Sequence, residues 1–430
     1  MGFLQDPTQV TAAEKMPTST NSGLGHKRAN DVVFILNLIV PHLPIILVEP
    51  ERVATVVTSI STSITGPTFR AKAFPENVTK PTLDLLHHLT RIAPASKFWK
   101  KDLSDAFNDP KFFHTPLPLL RDSWLPILAQ WTHADKDRLP ELLSRLSAPT
   151  TAGIMFGVGA ASARQEADRK TQLTLRRIAL LILGSPEDAF TSHLAAIAEK
   201  IVELLTATPA SSPSSTTRAE VLILLRALLL KTSSIHLAPL WPTINAELTA
   251  SLSSLLPDAS NREHYSNAGI VQACKLLDEL VVLNPDDFQL IEWLYISDTI
   301  DAVYNPTGHT LVPTSLADEV SMVLQQAQTH AGSVTDVTTT RPRQSRQQSL
   351  SGIGANAVAS ASASAAEPKK TLFLDPLIDA LEKEEGAEVT VMARRELVDR
   401  VVRPFLGGLA MGVFEATYGG GEVDWEGMWG

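Results

Sequence analysis

The sequence predicts an all-α protein: an α-helical solenoid of HEAT- or armadillo-like helix pairs with a disordered N-terminus and an internal disordered linker. Three observations lead there. From Asp31 onward, apolar segments of helical length are separated by prolines at Pro50, Pro81, Pro116, Pro140, Pro186, Pro209, Pro239, Pro285 and Pro306. Proline fits the first turn of a helix and breaks an interior, so this punctuation marks about a dozen helices. Within several segments the apolar residues recur at three- and four-residue spacing, as on one face of a helix. Strict two-residue alternation bounded by Asn-Gly or Asp-Gly does not occur, which leaves hairpins and sheets without support.

The length favours a stack over a ball. A single hydrophobic core stops growing at roughly 250–300 residues, and this chain has 430, of which 44% are hydrophobic and 20% charged. Consecutive helices joined by short turns pack side by side, and a long series of them extends the core along one axis.

Residues 1–28, rich in Thr, Ser, Asn and Gly and without apolar period, are expected to be a disordered N-terminal segment. Residues 29–330 form the helical-repeat domain. Within it, Arg218 to Lys231 places Val221, Leu222, Leu224, Leu225, Leu228 and Leu229 on one broad side, with Arg226 interrupting and Lys231 at the helix end where a cation is favoured. In Asn267 to Leu283, Ile270, Ala273, Cys274, Leu277, Leu280 and Val281 make an inner face. Lys275, Asp278 and Glu279 are assigned to solvent. Residues 331–370, where bulky apolar side chains nearly vanish, read as a disordered Ser/Ala-rich linker. Residues 371–418 resume helical patterning, with Asp375-Pro376 as cap and first turn, and are expected to pack on the stack because two isolated helices lack partner surface. Residues 419–430 are a flexible tail carrying Trp425 and Trp429.

Composition excludes several functions. A formal net charge of −10 is the wrong balance for neutralising phosphates, so nucleic acid is not expected as a partner. Cys274 is the only cysteine, which rules out an internal disulfide or a thiolate cluster and fits a reducing compartment. On the apolar face of its helix it reads as a buried structural thiol. The start of the chain, with Gln5, Asp6, Thr8 and Glu14, lacks a basic stretch followed by an apolar run and does not read as a secretory signal. The sequon at Asn77-Val78-Thr79 is then a chance match. Val32 to Val48 is the nearest thing to a spanning segment, but it is shorter than the ~20 residues a bilayer needs and contains Asn37, Pro41, His42 and Pro44.

No catalytic, cofactor or metal constellation emerges. Gly153, Gly157 and Gly159 are not followed by the Gly-Lys-Ser/Thr of a phosphate loop. His87 and His88 are adjacent and diverge by about 100° on a helix, so they cannot share a metal. Asp286-Asp287 follows Pro285 at a helix start, where negative charge suits the dipole, and Glu382 to Glu385 is a solvated run. Two features carry interaction chemistry instead. Arg91, Lys97, Lys100 and Lys101 surround Phe98 and Trp99, a mixture of cations and amphipathic rings that suits anionic lipid headgroups, although the same residues read equally as a helix start with a core tryptophan. In the linker, Arg341, Arg343 and Arg346 surround Ser345, and Arg346 and Ser349 make an Arg-x-x-Ser arrangement, so both serines are candidate phosphosites; a phosphate on Ser349 adds roughly two negative charges to a basic tract.

With the helices placed, two stretches resemble the C-terminal region of the Dopey family of large eukaryotic trafficking proteins. They are RAEVLILLRALLLKTSSIHLAPLWPTINAEL from Arg218 and QACKLLDELVVLNPDDFQLIEWLYISDTIDAVY from Gln272; FWKKDLSDAFNDPKFF, from Phe98 to Phe113, is similar to another segment of that region. The resemblance spans roughly residues 30 to 305. It implies a much longer family protein, of which this chain is a fragment or a truncated gene product. It further implies a non-enzymatic scaffold, without cofactors, that is cytoplasmic and peripheral on Golgi and endosome membranes and acts in vesicle-mediated transport between them. The implied partners are a large scaffold related to the big Arf exchange factors and an aminophospholipid flippase. The alternative is a cytosolic or nuclear helical-repeat adaptor with no membrane role. The family motif includes Leu240-Trp241-Pro242 and Glu292-Trp293-Leu294, whose tryptophans either seal helix junctions or anchor a partner.

Overall fold

The computed structural model describes residues 22–94, 97–146, 160–206, 214–297, 315–332 and 371–418. Every regular element among them is helical. The principal helices are α1 (Ser22–Ile39), α2 (Pro50–Ile60), α3 (Lys80–Ile92), α4 (Lys97–Asn108), α5 (Leu125–Ala134), α6 (Arg138–Ser144), α7 (Ala160–Gly184), α8 (Leu194–Leu205), α9 (Ser215–Lys231), α10 (Trp241–Ser253), α11 (Asn267–Leu283), α12 (Leu316–Gly332), α13 (Leu374–Glu385) and α14 (Arg403–Tyr418).

Of the prolines in the series, Pro209 and Pro306 lie outside the described residues, and several others stand at helix starts. Pro50, Pro81 and Pro242 sit in the first turns of α2, α3 and α10, where their missing N–H removes no helical bond, and Pro285 caps a short helix at Asp286–Gln289. Three other prolines leave a mark that periodicity does not reveal. Five-residue π-helical turns at Ser61–Thr65, Leu120–Trp124 and Val398–Val402 each end two residues before a proline: Pro67, Pro126 and Pro404. A proline inside a continuing helix cannot donate to the carbonyl four residues back, and its ring crowds that oxygen. Widening the preceding turn relieves the clash while the helix runs on. The first of these turns also needs Gly66, because a Cβ there would lie 2.9 Å from Ser61 O and 3.0 Å from Asp102 Oδ1.

The chain divides into two compact units, Met1–Ser254 with Ser260–Leu276, and Leu255–Ala259 with Leu277–Gly430. In the first, helices are added in sequence order: α1 packs on α3, α3 on α5, α5 on α7 and α7 along α9. This is the successive packing of a solenoid. Its core is aromatic at one level. Trp99, Phe107, Phe112, Phe113, Trp124 and Trp131 are fully buried, and Phe112 meets Phe107 at 5.2 Å and Trp124 at 5.0 Å in edge-to-face contacts. Such pairs add about 0.5–1.5 kcal/mol each beyond burial.

The one-face reading of Arg218 to Lys231 is corrected by the structure. From Thr217 to Leu229 α9 is buried almost all round, Arg218, Glu220 and Arg226 included. A helix with layers on both sides has no solvent face, so its charges must find partners inside. Glu220 accepts from Arg176 Nε of α7 at 2.7 Å, Arg218 Nη1 donates to Glu247 Oε1 of α10 at 2.7 Å, and Arg226 Nη1 donates to Gln272 Oε1 of α11 at 2.6 Å. Tyr265 OH donates to the other Glu247 oxygen at 2.9 Å, and its ring lies 5.6 Å from the Arg218 guanidinium. Burial pushes the Glu220 carboxyl up, with Arg176 opposing; burial, and then Glu247, push the Tyr265 phenol up. These pairs fix the register between successive helices.

In the second unit, α12 packs along α14, and the short helix Glu292–Tyr295 rests on α12. The assignment of Lys275, Asp278 and Glu279 to solvent is overturned: in α11, within which the division falls, all three are buried, Asp278 and Glu279 completely. Asp278 has a specific employment. Its carboxylate accepts the backbone N–H groups of Phe373 at 3.1 Å and Leu374 at 2.8 Å, at the start of α13. The cap that the sequence assigns to Asp375 is therefore supplied by a residue 96 positions away, and Asp375 lies in the first turn. Burial, with the charges of Asp375 and Glu279, pushes the Asp278 carboxyl up to about 7 against the two N–H donors. The other end of α13 is closed by Gly386 in the left-handed region at φ 67°.

Two boundaries differ from the sequence reading. The first described helix starts at Ser22, inside the segment assigned to 1–28, because propagation from a formed helix adds one bond per residue fixed. The domain assigned to 29–330 is divided within α11, since residues from Leu277 onward group with 371–418. The linker core and the tail, residues 333–370 and 419–430, lie outside the described residues.

Candidate functional site

The cation-aromatic patch is partly dismantled by the structure. Trp99 is fully buried and its Nε1 donates to Ala93 O at 2.8 Å, so it is core; one helical step of about 100° separates it from Phe98, which is 47% exposed. Lys100 folds back, donating to Ala134 O at 3.2 Å with its ammonium 5.7 Å from the Trp99 ring. Arg91, Lys97 and Lys101 remain exposed with Phe98.

Lys97 and Phe98 border a groove that the sequence alone does not show. The groove, of about 610 Å3, runs between Pro44–Thr58 and Ile92–Phe98, lined by Leu47, Val48, Val53, Ile92, Lys97 and Phe98 among others, and Lys97 is the one ionisable residue in that lining. An apolar floor with a cation and an exposed ring at the lip is a surface that accepts an apolar group carrying negative charge. The same end of the unit exposes Phe34, Ile35, Leu38 and Ile39 on α1 and Ile45 and Ile46 after it. The signal was present as the apolar run Val32 to Val48, which is too short to span a membrane; among the described residues no helix is long and apolar enough to cross one.

The two motif tryptophans separate. Trp241 is buried and serves as core. Trp293 is 60% exposed, its Nε1 donating to Leu290 O at 3.2 Å, with Leu290 and Leu294 exposed beside it. Its short helix is held by Tyr295, which is buried and stacks with Phe288 at 6.2 Å. Trp293 is thus an exposed ring beside a buried tyrosine, and is not part of the core.

Other candidates are accounted for or lie elsewhere. His87 and His88 line a crevice of about 320 Å3 with Phe34 and Asn37; their rings stand 6.4 Å apart, and burial lowers both imidazoles from their usual value. Among the described residues no group of three or more His, Cys, Asp or Glu could hold a metal ion. Asn77 of the sequon donates its side-chain N–H to Thr68 O at 2.8 Å. Glu384 and Glu385 pair with Arg400, and Cys274 is buried. Ser345 and Ser349, and the glycines at 153, 157 and 159, lie outside the described residues.

The fold defines a class: an all-α protein of stacked helices, with apolar side chains exposed at several places. The DOP1 C-terminal family profile matches residues 4–419. The chain belongs to that family, the Dopey family that its helical segments resemble. It is 42% identical to Protein dop1 of Emericella nidulans over 97% of its length, which is 20% of that protein. It is 27% identical to Protein DOP1 of Saccharomyces cerevisiae over 56% of its length and 14% of that protein, and 24% identical to Protein DOP1B of Mus musculus over 54% of its length and 10% of that protein. The chain therefore spans about a fifth or less of these relatives. None of their names denotes an enzyme. No solved structure matches it.

Proposed function

We propose that the chain is a non-enzymatic scaffold in vesicle-mediated protein transport between endosomes and the Golgi, working through protein contacts on the cytosolic membrane face. Membership of the DOP1 C-terminal family supports this reading, since the family resemblance implies that role. The geometric observation that carries it is the Trp293 ring, 60% exposed between exposed Leu290 and Leu294. Trp293 engages a protein partner, by kinship the large scaffold related to the big Arf exchange factors. The aminophospholipid flippase joins the same assembly. Lys97, Lys101, Arg91 and Phe98 meet anionic lipid headgroups around the apolar groove.

The test is made in fungal cells whose DOP1 protein carries alanine at the positions of Leu290, Trp293 and Leu294. A membrane protein that recycles from endosomes to the Golgi is followed by microscopy, and the scaffold is co-precipitated. Loss of recycling and of scaffold binding at normal DOP1 abundance is the expected result. Normal recycling after removal of the whole C-terminal region would refute the role.

A further inference from the structure

Between Lys275 and Arg341 the sequence has no Lys or Arg and ten Asp and Glu, in a chain with 37 Lys and Arg in all. The exposed tryptophan of the second unit falls inside this interval. Leu290, Trp293 and Leu294 are exposed at the spacing i, i+3, i+4, with Leu290 the most open at 74%. Asp286 and Asp287 lie in the first turn of the short helix just before them, and Glu292 in the first turn of the helix that carries Trp293. α12, on which that helix rests, repeats the combination: Asp318 and Glu319 stand in its first turn, and Met322, one turn further on, is exposed.

This charge discriminates between occupants. Carboxylates beside an apolar ridge repel anionic lipid headgroups, which separates this surface from the groove beside Lys97 and Phe98. A second copy of the chain would bring the same carboxylates against these, so like charge opposes self-association here. Among the described residues there is no strand edge, so an extended peptide has no ladder to join. Large apolar side chains at three- and four-residue spacing pack against the apolar stripe of another helix. The carboxylates around them match cations that border such a stripe, and an exposed indole attracts a cation over its face.

We propose that the surface made by Leu290, Trp293 and Leu294 receives an amphipathic helix of a partner protein whose apolar stripe is bordered by Lys and Arg. The proposal rests on the reading of Trp293 as a protein contact and goes beyond it in giving the shape and charge of the segment that docks.

The 430-residue chain is produced in fungal cells with the photoreactive residue benzoylphenylalanine in place of Leu290, the cells are irradiated, and the segment joined to that position is identified by mass spectrometry. The expected product is a segment of another protein with apolar residues at three- and four-residue spacing and an excess of Lys and Arg over Asp and Glu. Its yield per molecule of chain should fall at least tenfold with Trp293→Ala and at least threefold with the combined Asp286→Asn, Asp287→Asn, Glu292→Gln variant. A neutral or acidic segment, or a yield indifferent to the charge variant, overturns the proposal and leaves the protein contact standing. Lipid as the sole product, or no product, overturns both. A product within a second copy of the chain, or within its own stretch from Arg341 to Arg346, also overturns the proposal by naming another occupant.

Discussion

Replacing Glu247 by alanine removes the centre of a buried polar cluster, and its consequence follows from the geometry. Glu247 accepts Arg218 Nη1 at 2.7 Å and Tyr265 OH at 2.9 Å, with the two ionised side chains 8% and 10% exposed. Without the carboxylate, Arg218 retains a contact to Leu205 O at 3.3 Å, which cannot balance its charge. Removing one partner of a buried ion pair costs about 3–5 kcal/mol, because the other charge stays desolvated. The Tyr265 hydroxyl, left without its acceptor, adds to this within the same range. A loss of about 4 kcal/mol is a large share of the roughly 5–15 kcal/mol that holds a domain folded. The triple replacement Arg218→Met, Glu247→Leu, Tyr265→Phe removes charge and partners together and should lie within about 1–2 kcal/mol of the parent or above it. Urea unfolding followed by tryptophan fluorescence reads the first unit once Trp293, Trp425 and Trp429 are replaced by phenylalanine, since the remaining Trp99, Trp124, Trp131 and Trp241 all lie in it. A Glu247→Ala loss below about 1 kcal/mol, or a triple variant as damaged as the sum of its parts, would refute the pairing as the basis of register.

Further outcomes follow from single sites. Trp99→Ala should cost about 3–5 kcal/mol in urea titration, because a fully buried ring is lost, whereas Phe98→Ala should stay within about 0.5 kcal/mol. Arg177→Met should cost about 2 kcal/mol. Its guanidinium closes the end of α4 through Phe107 O at 2.7 Å, Asn108 O at 2.9 Å and Asp109 O at 3.2 Å, strongly enough to be kept although burial and Arg145 lower its pKa to about 10. The Asp278 carboxyl, at about 7 in the fold against an ordinary 3.8, favours the fold while protonated. Its contribution, about 4 kcal/mol, is present below about pH 4 and lost as pH rises to about 7. Asp278→Asn should flatten that slope in urea unfolding of the C-terminal helices, and an unchanged slope would remove Asp278 as its source. Trp293→Ala should leave the melting midpoint in place, as expected of an exposed ring.

Much of the fold can be read from the sequence, and where reading stops has physical causes. Helix starts are local, so Pro50, Pro81 and Pro285 mark them directly. The π-turns before Pro67, Pro126 and Pro404 follow from the same ring chemistry, in helices that continue through a proline. Periodicity fails at Asp278 and Glu279 because it assigns charges to water, while Asp278 is satisfied by backbone groups 95 and 96 residues distant, a pairing no local window contains. The surfaces are harder still. Trp99 and Phe98 are neighbours of similar character, and the phase of one helix decides which is core. Trp241 and Trp293 share the motif yet meet opposite fates, because one opens a thirteen-residue packed helix and the other sits on a four-residue one. The apolar run after Asp31 is conspicuous in sequence, but its length speaks only against spanning; that half of it stays uncovered depends on which helices pack against it.

The central claim, that this region works by surface contact at a membrane, is tested most directly by floating the purified 430-residue chain with vesicles of defined lipid. Co-migration with vesicles containing phosphatidylserine, release at high salt, failure to float with neutral vesicles, and loss of flotation in the Lys97→Glu, Phe98→Ala variant are the expected results. A chain that stays at the bottom of the gradient with every lipid at physiological salt would contradict the claim and favour an adaptor without a membrane role.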